Sequence, residues 1–264
     1  MNRALTVGNS YQRLATRARQ RYHGLRRRLW PILGWNTLRV LARRHRFTLI
    51  VDSWISWERA EAFATAEPET LDWIDSMAAA DVLFDVGANV GIYSLYAGAR
   101  GVRVWAFEPE AVNAGRLQQH IALNGLVGKV TPYVVALADR SRLDLLYLNG
   151  PAVLPAAALH AFGRAIDYAD RPFNAVATQG CYGTTLDALI EAGLPVPTHI
   201  KIDVDGLESA VIDGARRLLA HPGLRSILIE ISHGHEKVAD RIQQNGFRRV
   251  DFAPTTTNHI FVRD

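Results

Sequence analysis

Val82-Leu83-Phe84-Asp85-Val86-Gly87-Ala88-Asn89-Val90-Gly91 is the stretch that decides how this chain folds. A short apolar run carrying one carboxylate passes into a glycine turn and then into residues of helical spacing, which reads as strand, turn and helix. Gly87 permits a tight turn and Gly91 a close backbone approach, so a ligand can rest against the amide groups at the helix start. Asp85 can anchor that turn or reach a cationic group. Twenty-one residues after Gly87 a second strand ends in Phe107-Glu108-Pro109. A carboxylate at the carboxyl edge of the neighbouring strand can accept two hydrogen bonds from a ribose diol.

The glycines are spaced Gly-x-x-x-Gly and not Gly-x-Gly-x-x-Gly. That favours a ligand with one nucleoside and no pyrophosphate to cradle. A nicotinamide-dependent oxidoreductase would share the strand and the acidic residue but lacks the middle glycine. A non-catalytic binding module would keep the fold and shed ligand residues, whereas Asp85, Gly87, Gly91 and Glu108 are all present. Glycines between strand and helix also serve packing alone.

Outward from this motif, short apolar strands alternate with helical stretches of about ten residues, the signature of a parallel sheet covered on both faces. Strands are expected at 82–86, 102–107, 130–137, 199–204 and 226–231, with helices at 91–99, 110–123, 184–193, 206–220 and 235–245. A β-extension is expected at 143–148. Two last strands, 247–252 and 259–262, are too close for a helical crossover and should pair antiparallel. The expected fold is therefore α/β, a doubly wound, mostly parallel, Rossmann-like seven-stranded sheet with an antiparallel carboxyl-terminal strand, plus an amino-terminal helical arm. Within residues 81–264, the stretch 149–180 shows no steady period and reads as an insertion, carrying His160, Asp167, Tyr168, Asp170 and Arg171, of the kind in which ligand selection is written.

Residues 47–80 read as an approach segment, a strand at 47–55 followed by helices at 58–65 and 69–77. Ahead of it, residues 1–46 hold 12 arginines and no acidic residue, so that a chain of net charge +4 carries a formal −8 on its other 218 residues. Tyr11 to Leu29 has the spacing of a basic amphipathic helix, and Asn36 can cap a second one reaching about Arg44. With Trp30 and Trp35 beside the charges, residues 11–44 suit peripheral contact with an anionic membrane; docking on the chain's own acidic face and nucleic-acid binding are the other readings. Neither Asn-Pro-Pro-Tyr, Asp-Pro-Pro-Tyr nor Pro-Cys-Gln occurs, which speaks against the nucleic-acid reading. The single cysteine, Cys181, cannot form an internal disulfide, and no apolar run approaches about 18 residues, so a cytoplasmic protein is expected.

Taken together, Asp85-Val86-Gly87-Ala88-Asn89-Val90-Gly91, Phe107-Glu108-Pro109-Glu110 with Asn113 and Asn124, and Ile200-Lys201-Ile202-Asp203-Val204-Asp205-Gly206-Leu207-Glu208 resemble the FkbM family of methyltransferases over roughly residues 81–250. The resemblance implies a class I methyltransferase fold, S-adenosylmethionine as methyl donor, and an oxygen acceptor on a natural product, sugar or lipid. It places Gly87, Ala88, Asn89 and Gly91 around the cofactor's methionine part and Glu108 on the ribose, with Tyr93 and Ser94 following on the first helix. Ala138 and Asp139 fall where such folds flank the adenine. One departure is Asp205, where the family commonly carries Glu.

Methyl transfer to an alcohol calls for alignment, exclusion of water and a base. Asp203, near the end of its strand beyond the Gly87 turn, is the first candidate, with Lys201 and His199 on the same face by alternation; capping a helix or anchoring Lys201 is the plain alternative. His233 is the second, an imidazole at the end of the next strand, with His235 and Glu230 beside it. Asp203, Asp205 and Glu208 have the hard oxygen chemistry of a magnesium site but no histidine or neutral ligand fixed nearby, so no metal is expected.

Overall fold

The computed structural model describes residues 37–149, 155–158, 160–167, 169, 171–231, 237–250 and 257–263. The amphipathic helix expected at Tyr11 to Leu29, together with His233, His235, Tyr168 and Asp170, lies outside the described residues.

Strands β1 (Thr37–Ala42) and β2 (His45–Ile50) form an antiparallel hairpin. The helix expected to reach about Arg44 is thus a strand there. Leu38, Val40 and Ala42 alternate inward while Leu41 is exposed, and pairing with β2 holds a segment too short to be stable as a helix by itself. Helix α1 (Trp54–Ala62) begins earlier than its apolar spacing suggests, because Ser53 and Ser56 form a capping box. Helix α2 (Pro68–Asp75) follows, with proline in its first turn, where no amide partner is needed. The approach segment is part of the main core: Phe47, Leu49, Trp57, Phe63, Leu71 and Ile74 pack in one cluster with Leu83, Leu95, Tyr96 and Leu117.

The central chain runs β3 (Val82–Val86), α3 (Ile92–Ala99), β4 (Arg103–Phe107), α4 (Ala111–Leu123) and β5 (Val130–Tyr133). The strand expected to continue to Leu137 ends at Tyr133. Its last residues form β6 (Ala136–Leu137), which leaves the main sheet and joins β7 (Arg142–Leu148), β8 (Ala161–Phe162) and β9 (Ala177–Thr184) in a second, four-stranded sheet. Part of the expected insertion is therefore a small sheet with its own apolar cluster of Ala136, Ala138, Leu146, Leu148, Phe162 and Cys181. Then come α5 (Leu186–Glu191), β10 (His199–Ile202), α6 (Glu208–Asp213), α7 (Arg216–Ala220), β11 (Ser226–Glu230), α8 (Lys237–Gln244), β12 (Phe247–Val250) and β13 (Asn258–Arg263). The single helix expected at 206–220 is two. The break falls at Gly214, where a Cβ would lie 2.2 Å from the Ala138 carbonyl oxygen, and Asp187 caps the restart by accepting from the Arg217 and Leu218 amides.

The main sheet has seven strands in the order β12-β13-β11-β10-β3-β4-β5, parallel except for β13, which runs antiparallel between β11 and β12. This is the doubly wound, class I methyltransferase arrangement that the resemblance implied. One face buries Leu83, Val104 and Leu228, the other Phe84, Val86, Ile200 and Ile229. Chain order runs outward from β3 through β4 to β5 and then returns to β10 on the other side, so a crevice opens at the carboxyl ends of β3 and β10. At the opposite edge a buried chain from Trp73 through Ser226 and His199 to Asp81 fastens α2 to the sheet, which puts His199 at the wrong end to serve Asp203.

The crevice depends on Gly87. Its φ is +79°, and a Cβ there would stand 1.8 Å from the Asp203 carbonyl oxygen. Gly87→Ala should therefore lower stability by on the order of 3 kcal/mol in denaturant unfolding, since both backbone strain and a clash with main chain act at once. Gly115, inside α4 with nothing near its missing Cβ, is the control: Gly115→Ala should raise stability by about 0.5–1 kcal/mol.

Candidate functional site

The glycine turn is built by its neighbours. Gly87 and Ala88 both donate to the Phe107 carbonyl at the end of β4, and Asp203 donates to the Val86 carbonyl, so the ends of β4, β3 and β10 are held level. Asn89 takes a positive φ of 52°, and its amide donates to Glu108 Oε2 at 2.8 Å. Gly91 also meets a packing constraint. Its φ is +87°, and a Cβ would meet Leu117 Cδ1 of α4 at 2.1 Å, so its missing side chain lets the turn approach that helix closely.

Beside this turn lies a cavity of about 260 Å³ whose walls include Gly87, Asn89, Glu108, Asp203, Asp205 and Glu230. Glu108 is 5 % exposed, and its second oxygen accepts from the Glu110 amide at 2.9 Å. Burial pushes its pKa up to about 7 against the pull of these two amides. Asp85 is buried still deeper. Its Oδ2 accepts from Ser94 Oγ at 2.5 Å, while Oδ1 has no partner among the described residues. Burial raises the Asp85 pKa, with the Lys201 ammonium and Ser94 opposing. An unpaired carboxylate oxygen in the interior is a place for a cationic ligand group.

Lys201 and Asp203 do share a face, and their side chains meet at 2.7 Å. Burial works against the Asp203 carboxylate, but Lys201 outweighs it and holds the pKa below the usual value. Asp203 is in turn hydrogen-bonded to Glu230. Burial, reinforced by the Asp203 charge, lifts Glu230 to about 7, although Thr257 Oγ1 donates to it at 2.8 Å. The pair is thus asymmetric: one carboxylate locked on an ammonium, the other able to hold a proton near neutrality. Glu208 faces inward to accept from the Gly206 amide at 3.1 Å, as a structural residue of the turn before α6. Among the described residues, no three His, Cys, Asp or Glu side chains are grouped to hold a metal ion.

The remaining wall is apolar, from Ala136, Leu137, Leu146 and Phe162. Ala138 and Asp139, the expected adenine neighbours, are not at the cavity. The Ala138 amide donates to the Thr184 carbonyl in the second sheet, and Asp139 pairs with Arg142. Ala136 and Leu137, two residues earlier, line the cavity, because the chain turns into the second sheet before reaching Ala138. Tyr93 lines a small recess behind the glycine turn, with the Lys201 ammonium 5.1 Å from its ring centre.

Several lining residues carried no motif. Arg59 of α1 and Glu67 at the start of α2 come from the approach segment. Ala157 is held over the cavity by hydrogen bonds from Asn89 Nδ2 and Asn113 Nδ2 to its carbonyl. His160 accepts the Asn149 amide at Nδ1, leaving Nε2 buried without a partner among the described residues, and burial lowers its pKa so that the ring is neutral. Asp167 and Arg171, named with His160 in the insertion, instead close a turn on each other.

Solved structures of similar fold include the methyltransferase FkbM from Methylobacillus flagellatus, with 16% identity, a TM-score of 0.48 and 79% of this chain covered. The chain spans 54% of that protein's length. P. horikoshii TYW2, solved with MeSAdo, shares 10% identity over 86% of this chain and 70% of its own, with a TM-score of 0.44. The Pyrococcus abyssi tRNA (uracil-54, C5)-methyltransferase, solved with S-adenosyl-L-homocysteine, shares 12% over 87% of this chain and 44% of its own, with a TM-score of 0.45. No curated protein matches the sequence. The model of the methyltransferase FkbM domain matches residues 85–252, and the chain belongs to that family.

Proposed function

We propose that this chain transfers a methyl group from S-adenosylmethionine to a hydroxyl group of a small molecule, sugar or lipid. The observation that carries the reading is the buried Glu108 carboxylate at the switch-point cavity, bracketed by the Asn89 and Glu110 amides. The residues fit the cofactor: Glu108 has acceptor capacity for two ribose hydroxyls, Asp85 Oδ1 awaits a cation, and Ala136, Leu137 and Phe162 offer an apolar flank for adenine. Asn89, where a dinucleotide fingerprint has its second glycine, ties its side chain to Ala157, which argues against a pyrophosphate at the turn.

When bound, S-adenosylmethionine supplies a methyl group already activated on a sulfonium. The chain must then align the acceptor and take its proton. Asp203 was the first expectation for the base, but its salt bridge to Lys201 makes it a weak one. Glu230 is better matched: in its ionised form it accepts the hydroxyl proton as the acceptor oxygen gains its bond to carbon, while Asp203 remains ionised and keeps the neighbouring pKa high. His233 lies outside the described residues and stays a second candidate for the same proton.

The arginine-rich residues 11–44 would bring this site to an anionic lipid surface, a reading supported by Trp30 and Trp35 beside the charges. No described helix is long and apolar enough to cross a membrane. Full-length protein should cosediment with phosphatidylglycerol vesicles at low salt and release at high salt; equal behaviour with neutral vesicles would remove the membrane contact. The reaction itself is tested by labelled methyl transfer to a panel of hydroxyl and amine acceptors, with label on oxygen expected and label only on nitrogen contradicting it. Because Glu230 must be ionised, the rate should rise with pH to a plateau above about 7. Glu230→Gln should lower that plateau by about 10²–10⁴-fold and abolish the slope; an unchanged profile would reassign the base.

A further inference from the structure

Helix α1 ends one turn beyond Arg59, a residue outside the stretch 85–252 that the family model matches. Its side chain lines the main cavity and also a recess of about 20 Å³ behind the glycine turn, shared with Asp85, Tyr93 and Lys201. Arg59, Gly87, Asn89 and Asp203 line both spaces, so the two lie side by side. The recess has room for about one water-sized group.

Arg59 is part-buried and, among the described residues, makes no hydrogen bond and no close ion pair. The other cationic side chain at this place, Lys201, is already committed to Asp203 at 2.7 Å. His160 is neutral, and Glu67, Asp203, Asp205 and Glu230 make the surroundings acidic. For an anionic group entering here, Arg59 is the cationic side chain at this place without a carboxylate at hydrogen-bond distance among the described residues. An ammonium has the unpartnered Asp85 Oδ1 as its natural contact. The place therefore suits a zwitterion, with its carboxylate at Arg59 and its ammonium toward Asp85. A guanidinium is the side chain that receives a carboxylate in two parallel hydrogen bonds.

The position of Arg59 is fixed by more than its own helix. Trp57 and Ala60 bury the adjoining face of α1, the Ser53–Ser56 capping box sets its start, and His120 joins the approach segment to the glycine turn. His120 Nε2 accepts from the Ile50 amide at 2.9 Å, and its Nδ1 lies 2.9 Å from the Val90 carbonyl.

We propose that Arg59 binds the carboxylate of the cofactor's amino-acid part, with Asp85 receiving its ammonium, so that the segment ahead of the FkbM domain completes the cofactor site. This assignment rests on the methyl-donor reading above. It is tested by calorimetric titration of the full chain, wild type and Arg59→Ala, with S-adenosylhomocysteine and with 5′-methylthioadenosine, which keeps the adenosine but has no carboxylate or ammonium. Arg59→Ala should weaken the first ligand about 10- to 100-fold and leave the second within about twofold of wild type, while Arg59→Lys recovers part of the loss. Unchanged S-adenosylhomocysteine affinity, or an equal loss for both ligands, would overturn the assignment. Wild-type protein that binds neither ligand would bring down the methyl-donor reading and this assignment with it. Arg59→Gln, which keeps the length of the side chain without its charge, gives the same comparison should the alanine variant fold poorly.

Discussion

The contact on which the rest depends is the one between Gly87 and the Asp203 carbonyl. A side chain at Gly87 would have to occupy the position of that oxygen, so its absence lets the turn after β3 close against the end of β10. The same turn aims two amides at Phe107 and sends the Asn89 amide to Glu108. The geometry of three strand ends and the placement of Glu108 and Asp203 at one cavity follow from a single missing Cβ and a positive φ.

Around that contact the protein gathers more negative charge than folding alone would favour. Asp85, Glu108 and Glu230 all carry raised pKa values with burial as the leading cause, and only Asp203 is stabilised by a direct ammonium partner. Buried carboxylates without cations are costly, and their concentration at one cleft fits the methyl-donor site proposed above. A sulfonium-bearing zwitterion would supply such a cation. The same arrangement separates two neighbouring carboxyls into distinct protonation roles, because Lys201 reaches Asp203 and not Glu230.

Much of this was legible in the sequence, and for identifiable reasons. Strands such as Val82–Val86 are short, apolar and bounded by turn residues, so their limits were read directly, and the acidic strand end at Glu108 is a local feature of a few residues. What local pattern could not carry was set by distant partners. Residues 37–42 satisfy both a helical and a strand reading, and the decision comes from pairing with β2. The break at Gly214 is imposed by Ala138, some 76 positions earlier. Ala136 and Leu137 line the cavity because the chain leaves the main sheet there, and Gly91 faces Leu117. Arg59 and Glu67 have no motif around them; only the docking of the approach segment, through His120 and Asn124 onto β2, brings them to the site.

The central claim is that the buried Glu108 holds the ribose of a single-nucleoside methyl donor. Calorimetric titration of wild type and Glu108→Ala with S-adenosylhomocysteine, with NAD as the comparison ligand, tests it most directly. The account predicts saturable binding of S-adenosylhomocysteine and none of NAD, with the variant weakened by about 1.5–3 kcal/mol, the range for hydrogen bonds to a charged group. Binding of NAD alone, or unchanged S-adenosylhomocysteine affinity in a folded Glu108→Ala protein, would contradict it.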